Sequence, residues 1–483
     1  MIFRAGARGN SHSIVSCTNG SRVATSMRCS GRWSSTSRIR ARPSCSIRSL
    51  CPAGEGLMSG RAQTDDLRTL LGLITAHEQW RGQCLNLVAS ENIHSPSVAQ
   101  LLASDLSGRY GDYHGRDLRR RKYQGTRYII EIEELADRLA RSLFGARYAE
   151  LRPVSGHLAA AAVILALARP GDTVLEVDRN GGGHRTAAKL SASTQFPLVV
   201  HPVPFDPHEH TVDAERTVAL MRELRPRLVI LGSSTFLFPH PVKAVADTAR
   251  DLGNTVVIYD GAHVLGLIAA GRFQAPLVEG AHLLVSSTHK VLPGPQGGLI
   301  LSDDEALIAR VSEAVHPGLV ANHHLAHVAA LAAVLLEMRA TGDAYTQRTI
   351  ENAQALGAAL AGRGLTVIGA HRGYTQSHTV VIQPPSGQNA STAADQLEAA
   401  GIITSVCSLD ASLGGAGLRL GVQEITRAGA TPAVVDEVAD LIAEVLIRRR
   451  AAESVTLKVR RLVTDRLGAR PFDLTLEESS RHA

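Results

Sequence analysis

Between Thr64 and Trp80 the apolar residues recur at helical spacing, which predicts an arm helix ahead of the turn Ser90-Glu91-Asn92. From there helical and strand-like stretches alternate. Ile129 to Phe144 reads as an amphipathic helix with an acidic start, and Gly156 to Leu167 as another, entered from the turn Pro153-Val154-Ser155. Short β-branched or leucine runs separate the helices: Thr173 to Val177, Leu198 to Pro202, Leu228 to Leu231, Val256 to Tyr259 and Leu283 to Ser287. This alternation predicts an α/β fold with a doubly wound, mostly parallel sheet, whose active residues lie at the carboxyl ends of the strands. After Pro317 the pattern changes. A long helix (His323 to Arg339), a helix over 345–363, strands near Leu365–Ile368 and His378–Ile382, a helix over 391–400, a strand Leu418–Val422 and a helix Pro432–Arg449 predict a smaller C-terminal α+β domain. The expected divisions are a leader over 1–60, an N-terminal arm over 61–92, a large domain over 93–322, the small domain over 323–450 and a charged, partly helical tail over 451–483.

Composition narrows the class. The chain has 483 residues, 44% of them hydrophobic but only 4% aromatic, which gives an Ala/Leu/Val-rich interior and room for two or three cores. No apolar run approaches the ~18 residues of a membrane span, and Ala326 to Leu336 reads as buried helix, so no membrane partner is expected. The net charge of +6 is misleading, because the first 54 residues hold nine arginines and no Asp or Glu. Taking those nine charges from +6 leaves residues 55–483 at −3, so no nucleic-acid partner is expected. The leader suits an organellar transit peptide, and equally an upstream stretch read from a wrong start codon; Met58 is the favoured start and disorder is expected either way. Its cysteines, Cys17, Cys29, Cys45 and Cys51, have no paired spacing, and no metal site is expected. Cys84 and Cys407 imply a reducing compartment, the cytoplasm, or an organelle if residues 1–57 are a transit peptide.

The candidate chemistry centres on Ser287-Thr288-His289-Lys290, followed by Gly294-Pro295-Gln296-Gly297-Gly298. A lysine fixed between a hydroxyl-rich strand and a glycine-rich turn can be withdrawn from water, lose its proton and attack an aldehyde. A solvated loop lysine fits the segment equally well. Asp260 ends an apolar strand, where a buried carboxylate needs a cation; the protonated ring nitrogen of pyridoxal phosphate would be one, and a helix N-cap is the plainer role. Ser155-Gly156-His157 opens a helix that could bind phosphate, and Gly181-Gly182-Gly183-His184 sets an imidazole on a turn where it could stack on a planar ring or simply face solvent. Arg419 on an apolar strand suits a carboxylate or phosphate.

In this order and spacing, Leu87-Val88-Ala89-Ser90-Glu91-Asn92, Val154-Ser155-Gly156, Gly182-Gly183-His184, Asp260-Gly261-Ala262-His263, Thr288-His289-Lys290 and Leu418-Arg419-Leu420-Gly421 with Ile425-Thr426-Arg427 resemble serine hydroxymethyltransferase. The resemblance runs from about residue 65 to 450, and Pro317 to His324 resembles the archaeal-type branch. It implies a fold-type I pyridoxal phosphate transferase with small-molecule amino-acid and aldehyde substrates, working as a homodimer, or a tetramer, with shared sites. Carried over position by position, Lys290 would form the Schiff base, Asp260 would pair the ring nitrogen and His184 would stack on the ring. Ser155, Gly156 and His157 would bind phosphate, with Tyr110 and Gly318 reaching in from the other subunit. Ser234 and His263 would hydrogen-bond the phenolic oxygen or nearby groups, and His289 would flank the lysine. Arg419 and Ser90 would hold the substrate carboxylate, with Tyr123 near its hydroxyl. All four of Lys290, Asp260, His184 and Arg419 are present, which argues against an inactive regulatory homologue.

Three departures bear on tetrahydrofolate. Asp112 stands where the family has glutamate, one methylene longer. The connection from Tyr110 to Tyr123 is long, and Arg119 to Lys122 is either a solvated charge run or a set of anion contacts at the mouth of the site. The segment Ser405 to Gly415, read as a loop, lacks the family's asparagine- and proline-bearing sequence. The resemblance therefore leaves two chemistries open: hydroxymethyl transfer, and threonine transaldolase action without folate.

Overall fold

The computed structural model describes residues 60–474; the expectations for the leader, including its four cysteines and Met58, lie outside the described residues. The arm helix is present as Gly60–Arg81, and the body runs from Leu67 onward as one unit. In chain order its strands are β1 (Leu85–Asn86), β2 (Tyr148–Glu150), β3 (Thr173–Val177), β4 (Val199–Val203), β5 (Phe205–Asp206), β6 (Thr211–Val212), β7 (Leu228–Gly232), β8 (Val256–Asp260), β9 (Leu283–Ser287), β10 (Gly298–Ser302), β11 (Thr379–Ile382), β12 (Ile402–Ile403), β13 (Ser405–Ser408) and β14 (Ala416–Gly421).

The main sheet has the order β2-β10-β9-β8-β7-β3-β4. Pairing is parallel from β9 through β4, while β10 runs antiparallel to both its neighbours, so the expected mostly parallel α/β sheet is present. Every residue of β7, β9 and β10 is buried, which is why these strands read as continuous apolar runs rather than alternating ones. The order breaks sequence continuity between β7 and β3. The carboxyl ends of β7 and β3 accordingly open beside each other, next to those of β8 and β9, where α/β sheets hold ligands. Gly232 on β7 lets that end close up, since a Cβ there would lie 2.6 Å from the Asp260 side chain.

A second core surrounds the three-stranded sheet β11-β14-β13. β1 pairs in parallel with β12, and Leu85 and Leu87 belong to this core, so the residues after the arm helix are tied to the C-terminal sheet. Two expectations change here. The helices expected over His323–Arg339 and 345–363 are one helix, Leu325–Gly362, because the breaker between them, Gly342, costs about 1 kcal/mol relative to alanine, which buried packing overrides. By length and composition this helix could cross a bilayer, contrary to the reading of the apolar runs. Yet 67% of its most apolar stretch is buried in the protein, as befits a core helix. Its first half packs in the large-sheet core through Val328, Leu331 and Leu335, and its second half in the other through Ala353, Leu356 and Leu360.

Arg427 clamps these parts together. Its fully buried guanidinium meets Glu337 of the long helix at 2.8 Å and Asp473 at 2.7 Å. Breaking a buried pair strands a charge, so Arg427→Met should lower the unfolding free energy by roughly 3–5 kcal/mol. Denaturant titration measures this; a loss below about 1 kcal/mol would show the clamp to be dispensable.

Candidate active site

The lysine is positioned by what precedes and follows it. β9 is buried to its last residue, and the chain then turns sharply, with Gly294 N–H donating to the Thr288 carbonyl at 3.0 Å and Thr288 Oγ1 donating to the Pro295 carbonyl at 2.6 Å. Two glycines permit the turn, because Cβ atoms at 294 and 298 would lie 2.5 Å from the Thr288 oxygen and 2.4 Å from the Ser155 oxygen. Lys290 Nζ donates to Ser287 Oγ at 2.6 Å, and Asn92 Nδ2 holds the Lys290 carbonyl at 2.8 Å. Burial lowers the Lys290 pKa from its usual 10.5 to about 8; Asp260 opposes that shift and Arg419 adds to it. Uptake of pyridoxal phosphate by the cofactor-free protein should therefore accelerate as pH rises through about 8, where the neutral amine forms. Stopped-flow absorbance checks this; a midpoint near 10.5 would show an ordinary solvated lysine.

Asp260 ends β8 beside the lysine strand. Its Oδ1 accepts the Ala262 N–H at 3.0 Å, and it has no ion pair among the described residues. Burial pushes its carboxyl above the usual carboxylate range. Ser155 caps the helix Gly156–Leu167, and Gly156 is obligatory, since a Cβ there would lie 2.8 Å from the Ser287 nitrogen. The helix N-terminus thus faces the lysine segment directly.

The glycine turn sets His184. Gly182 has φ +80°, and a Cβ on Gly183 would fall 1.7 Å from the Val177 oxygen. His184 reaches solvent at the rim, with Nε2 3.3 Å from His157 Nδ1 and 3.5 Å from Lys189 Nζ. Desolvation, then Lys189, His157 and Lys290, lower its pKa to about 4, so the imidazole is neutral at pH 7. His263 is buried against His378, the rings 6.2 Å apart and nearly parallel; desolvation keeps it neutral, and its Nδ1 lacks a partner among the described residues. His289 is likewise lowered to about 4, chiefly by desolvation, and its Nδ1 has no partner among the described residues.

These groups enclose a cavity of about 220 Å³ lined by Ser155, Gly156, His157, His184, Ser234, Asp260, His263, His289 and Lys290, together with Ser233, Ala262 and Ser287. The residues present fit pyridoxal phosphate. A buried carboxylate with no ion pair among the described residues, imidazole nitrogens with no partner among them, a capped helix N-terminus and a partly desolvated amine face one cavity.

Arg419 lies beside this cavity on β14, donating from Nη1 to the Ser234 carbonyl at 2.5 Å and from Nε to Ser405 Oγ at 3.2 Å. Ser405 to Ser408 is strand β13, paired with β14, and the expectation of a loop there is corrected: the Ser-Val-Cys-Ser alternation buries Cys407 while Val406 faces out. Ser90 lies in an adjoining cleft that shares His289 with the cavity. Tyr110, Asp112, Tyr123 and Gly318 do not line the cavity of their own chain. Tyr110 and Tyr123 pack edge to face, centroids 5.2 Å apart, and both are exposed. Asp112 is buried 3.8 Å from His316, with one carboxylate oxygen lacking a hydrogen bond among the described residues.

The basic run divides. Arg121 is buried in an ion pair with Glu133 and lies over the Tyr113 ring, while Arg119 pairs with Glu134 on the surface. Sequence reasoning did not single out Asn92's hold on the lysine carbonyl or Lys189's approach to His184. One surface group, His208, Glu209 and His371, has metal-like spacing, with Arg372 also contacting the Glu209 carboxylate.

Residues 65–442 match the family model described as serine hydroxymethyltransferase. The serine hydroxymethyltransferase of Methanopyrus kandleri is 41% identical over 403 residues, covering 82% of this chain and 93% of that protein. That of Pyrococcus furiosus is 42% identical over 399 residues, covering 80% and 92%. Among solved structures, an L-threonine transaldolase from Pseudomonas fluorescens, in its internal aldimine state, superposes with a TM-score of 0.80 at 26% identity over 87% of this chain and 98% of its own.

Proposed function

The chain belongs to the serine hydroxymethyltransferase family, and from that membership we propose a pyridoxal phosphate enzyme that breaks and makes the Cα–Cβ bond of β-hydroxy-α-amino acids, interconverting serine and glycine. The observation that carries this is the meeting, across one cavity, of the partly desolvated Lys290 amine with the buried Asp260 carboxylate, which has no ion pair among the described residues.

Lys290 would hold the cofactor covalently, Asp260 would face its ring nitrogen, and His184 would cover the ring. Ser155, Gly156 and His157 would bind its phosphate, and Ser234 and His263 its phenolic oxygen. When bound, the cofactor supplies an electron sink for the substrate's Cα. Arg419, with Ser90, would orient the amino-acid carboxylate so that the scissile bond is presented correctly. A base then takes the β-hydroxyl proton, the Cα–Cβ pair stays with the glycyl carbon, an aldehyde leaves, and that carbon takes a proton to become glycine. Released by the substrate, the Lys290 amine can hold that proton at Nζ.

The second subunit is part of the proposal. Tyr110, Asp112, Tyr123 and Gly318 would complete the neighbouring chain's site, and the exposed apolar residues of the arm helix, Leu67, Leu70, Leu71, Leu73, Ile74 and Trp80, support a homodimer. We further propose the division into a large cofactor-binding domain over 93–322 and a small domain over 323–450, and a cytoplasmic location, supported by the free thiols of Cys84 and Cys407.

A second reading, folate-independent transfer of the glycyl unit from L-threonine to another aldehyde, is favoured by the short Asp112 and by strand β13, whose Ser405–Ser408 sequence lacks the asparagine- and proline-bearing segment of the family. The two are separated by incubating the loaded enzyme with serine, with and without tetrahydrofolate, and with L-threonine. Folate-dependent serine turnover supports hydroxymethyl transfer; acetaldehyde release from threonine, accelerated by added aldehydes, supports the transaldolase. Cleavage of neither amino acid would defeat both.

A further inference from the structure

Beyond Arg419 the cavity opens into a second recess of about 260 Å³, which shares His184 and Ser234 with it. Its lining contains four cations, Arg179, Arg185, Lys189 and Arg419, and no carboxylate. Among the described residues only Arg185 of these has an ion pair, with Asp178 at 3.1 Å. A substrate carboxylate needs one guanidinium fork, and Arg419 provides it. Arg179 and Lys189 remain without an anion, and their mutual repulsion is a standing cost that a bound anion would relieve. That repulsion also registers in Lys189, whose pKa is lowered first by desolvation and then by Arg179, with Glu176 opposing and Arg185 adding the least. Val406, Cys407 and Ser408 of β13 also line the recess, and Val406 exposes an apolar side chain.

We propose that this recess receives the anionic end of the acceptor aldehyde, a carboxylate or phosphate-type group bound by Arg179 and Lys189, while its carbonyl carbon enters the lysine cavity. The inference rests on the aldol-type reading of the site and adds the acceptor's charge class. The step is balanced: the glycyl carbon donates its electron pair to the carbonyl carbon, a carbon–carbon bond forms, and the carbonyl oxygen takes a proton, with no oxidant or reductant.

The test uses the full chain loaded with pyridoxal phosphate, L-threonine as donor, and glyoxylate, phosphonoacetaldehyde or propanal as acceptor. A hydrogen bond to a charged group contributes roughly 1.5–3 kcal/mol, so kcat/KM for the charged acceptors should exceed that for propanal by about tenfold or more, mainly through KM. In Arg179→Gln/Lys189→Gln the charged-to-neutral ratio should fall by about tenfold, and added salt should reduce it in the parent enzyme. Glyoxylate ahead of phosphonoacetaldehyde assigns a carboxylate, and the reverse a phosphate-type group. Equal use of charged and neutral aldehydes, with threonine cleavage intact, would overturn the proposal, as would a double variant that weakens only tetrahydrofolate binding. If threonine is not cleaved, serine replaces it as donor; if neither amino acid is cleaved, the aldol reading fails instead, and calorimetry of inorganic phosphate with the loaded enzyme then decides. Saturable binding lost in the double variant supports an anion recess; no difference between the two proteins overturns it.

Discussion

Lys290→Ala removes the amine that would link the cofactor and hold the glycyl proton, and amino-acid cleavage falls by at least roughly 10²–10⁴-fold, the usual range for proton transfer alone. Phosphate and ring contacts remain, so the variant still binds pyridoxal phosphate, but the absorbance of the covalently held cofactor is lost. Lys290→Arg keeps a cation and should fail in the same way, because a guanidinium neither deprotonates nor forms the linkage. Steady-state assays with absorbance spectra on the three proteins check the point. Retained cleavage in either variant would place the nucleophile elsewhere.

The second large effect follows from Asp260. Asp260→Asn preserves size and the acceptor for Ala262 N–H but removes the charge that would keep the cofactor's ring nitrogen protonated. Losing one member of a buried ion pair costs about 3–5 kcal/mol, which corresponds to roughly 10²–10⁴-fold in rate. The cofactor-free protein should respond with the opposite sign. Burial raises the folded-state pKa of this carboxyl above its unfolded value, so the ionised form destabilises the fold once pH exceeds the unfolded pKa, and fully so above the folded one. At pH 7 the cofactor-free variant should therefore melt above the parent, and the difference should vanish as pH falls below the unfolded carboxylate range. Saturating cofactor should reverse the order. Thermal melts across pH, with and without cofactor, measure all three; a variant less stable than the parent without cofactor would mean that Asp260 is already compensated.

The alternation of elements exposed the main sheet because its parallel strands are buried on both faces, and the strand ends carrying Asp260 and Lys290 were legible because charge is costly beside such runs. β10 escaped notice since Gly298 opens it inside a glycine-rich turn, and β2 is only three residues long. The single helix Leu325–Gly362 was read as two because local pattern does not report that it spans two cores. Arg121 sits in a run that reads as solvent-exposed charge, yet Glu133 and Tyr113 meet it from distant positions. The basic recess was illegible for a similar reason: Arg179 and Lys189 flank the glycine turn, while Arg419 reaches it only because β14 is brought alongside.

Lys290 is the lysine that would hold the cofactor. Reducing the loaded enzyme with borohydride fixes a pyridoxyl group to the amine that carries it, and peptide mass mapping then locates it. The predicted result is one modified lysine, Lys290, in the peptide bearing Ser287-Thr288-His289. Modification of another lysine, or a fully loaded enzyme in which no lysine is modified, would contradict it.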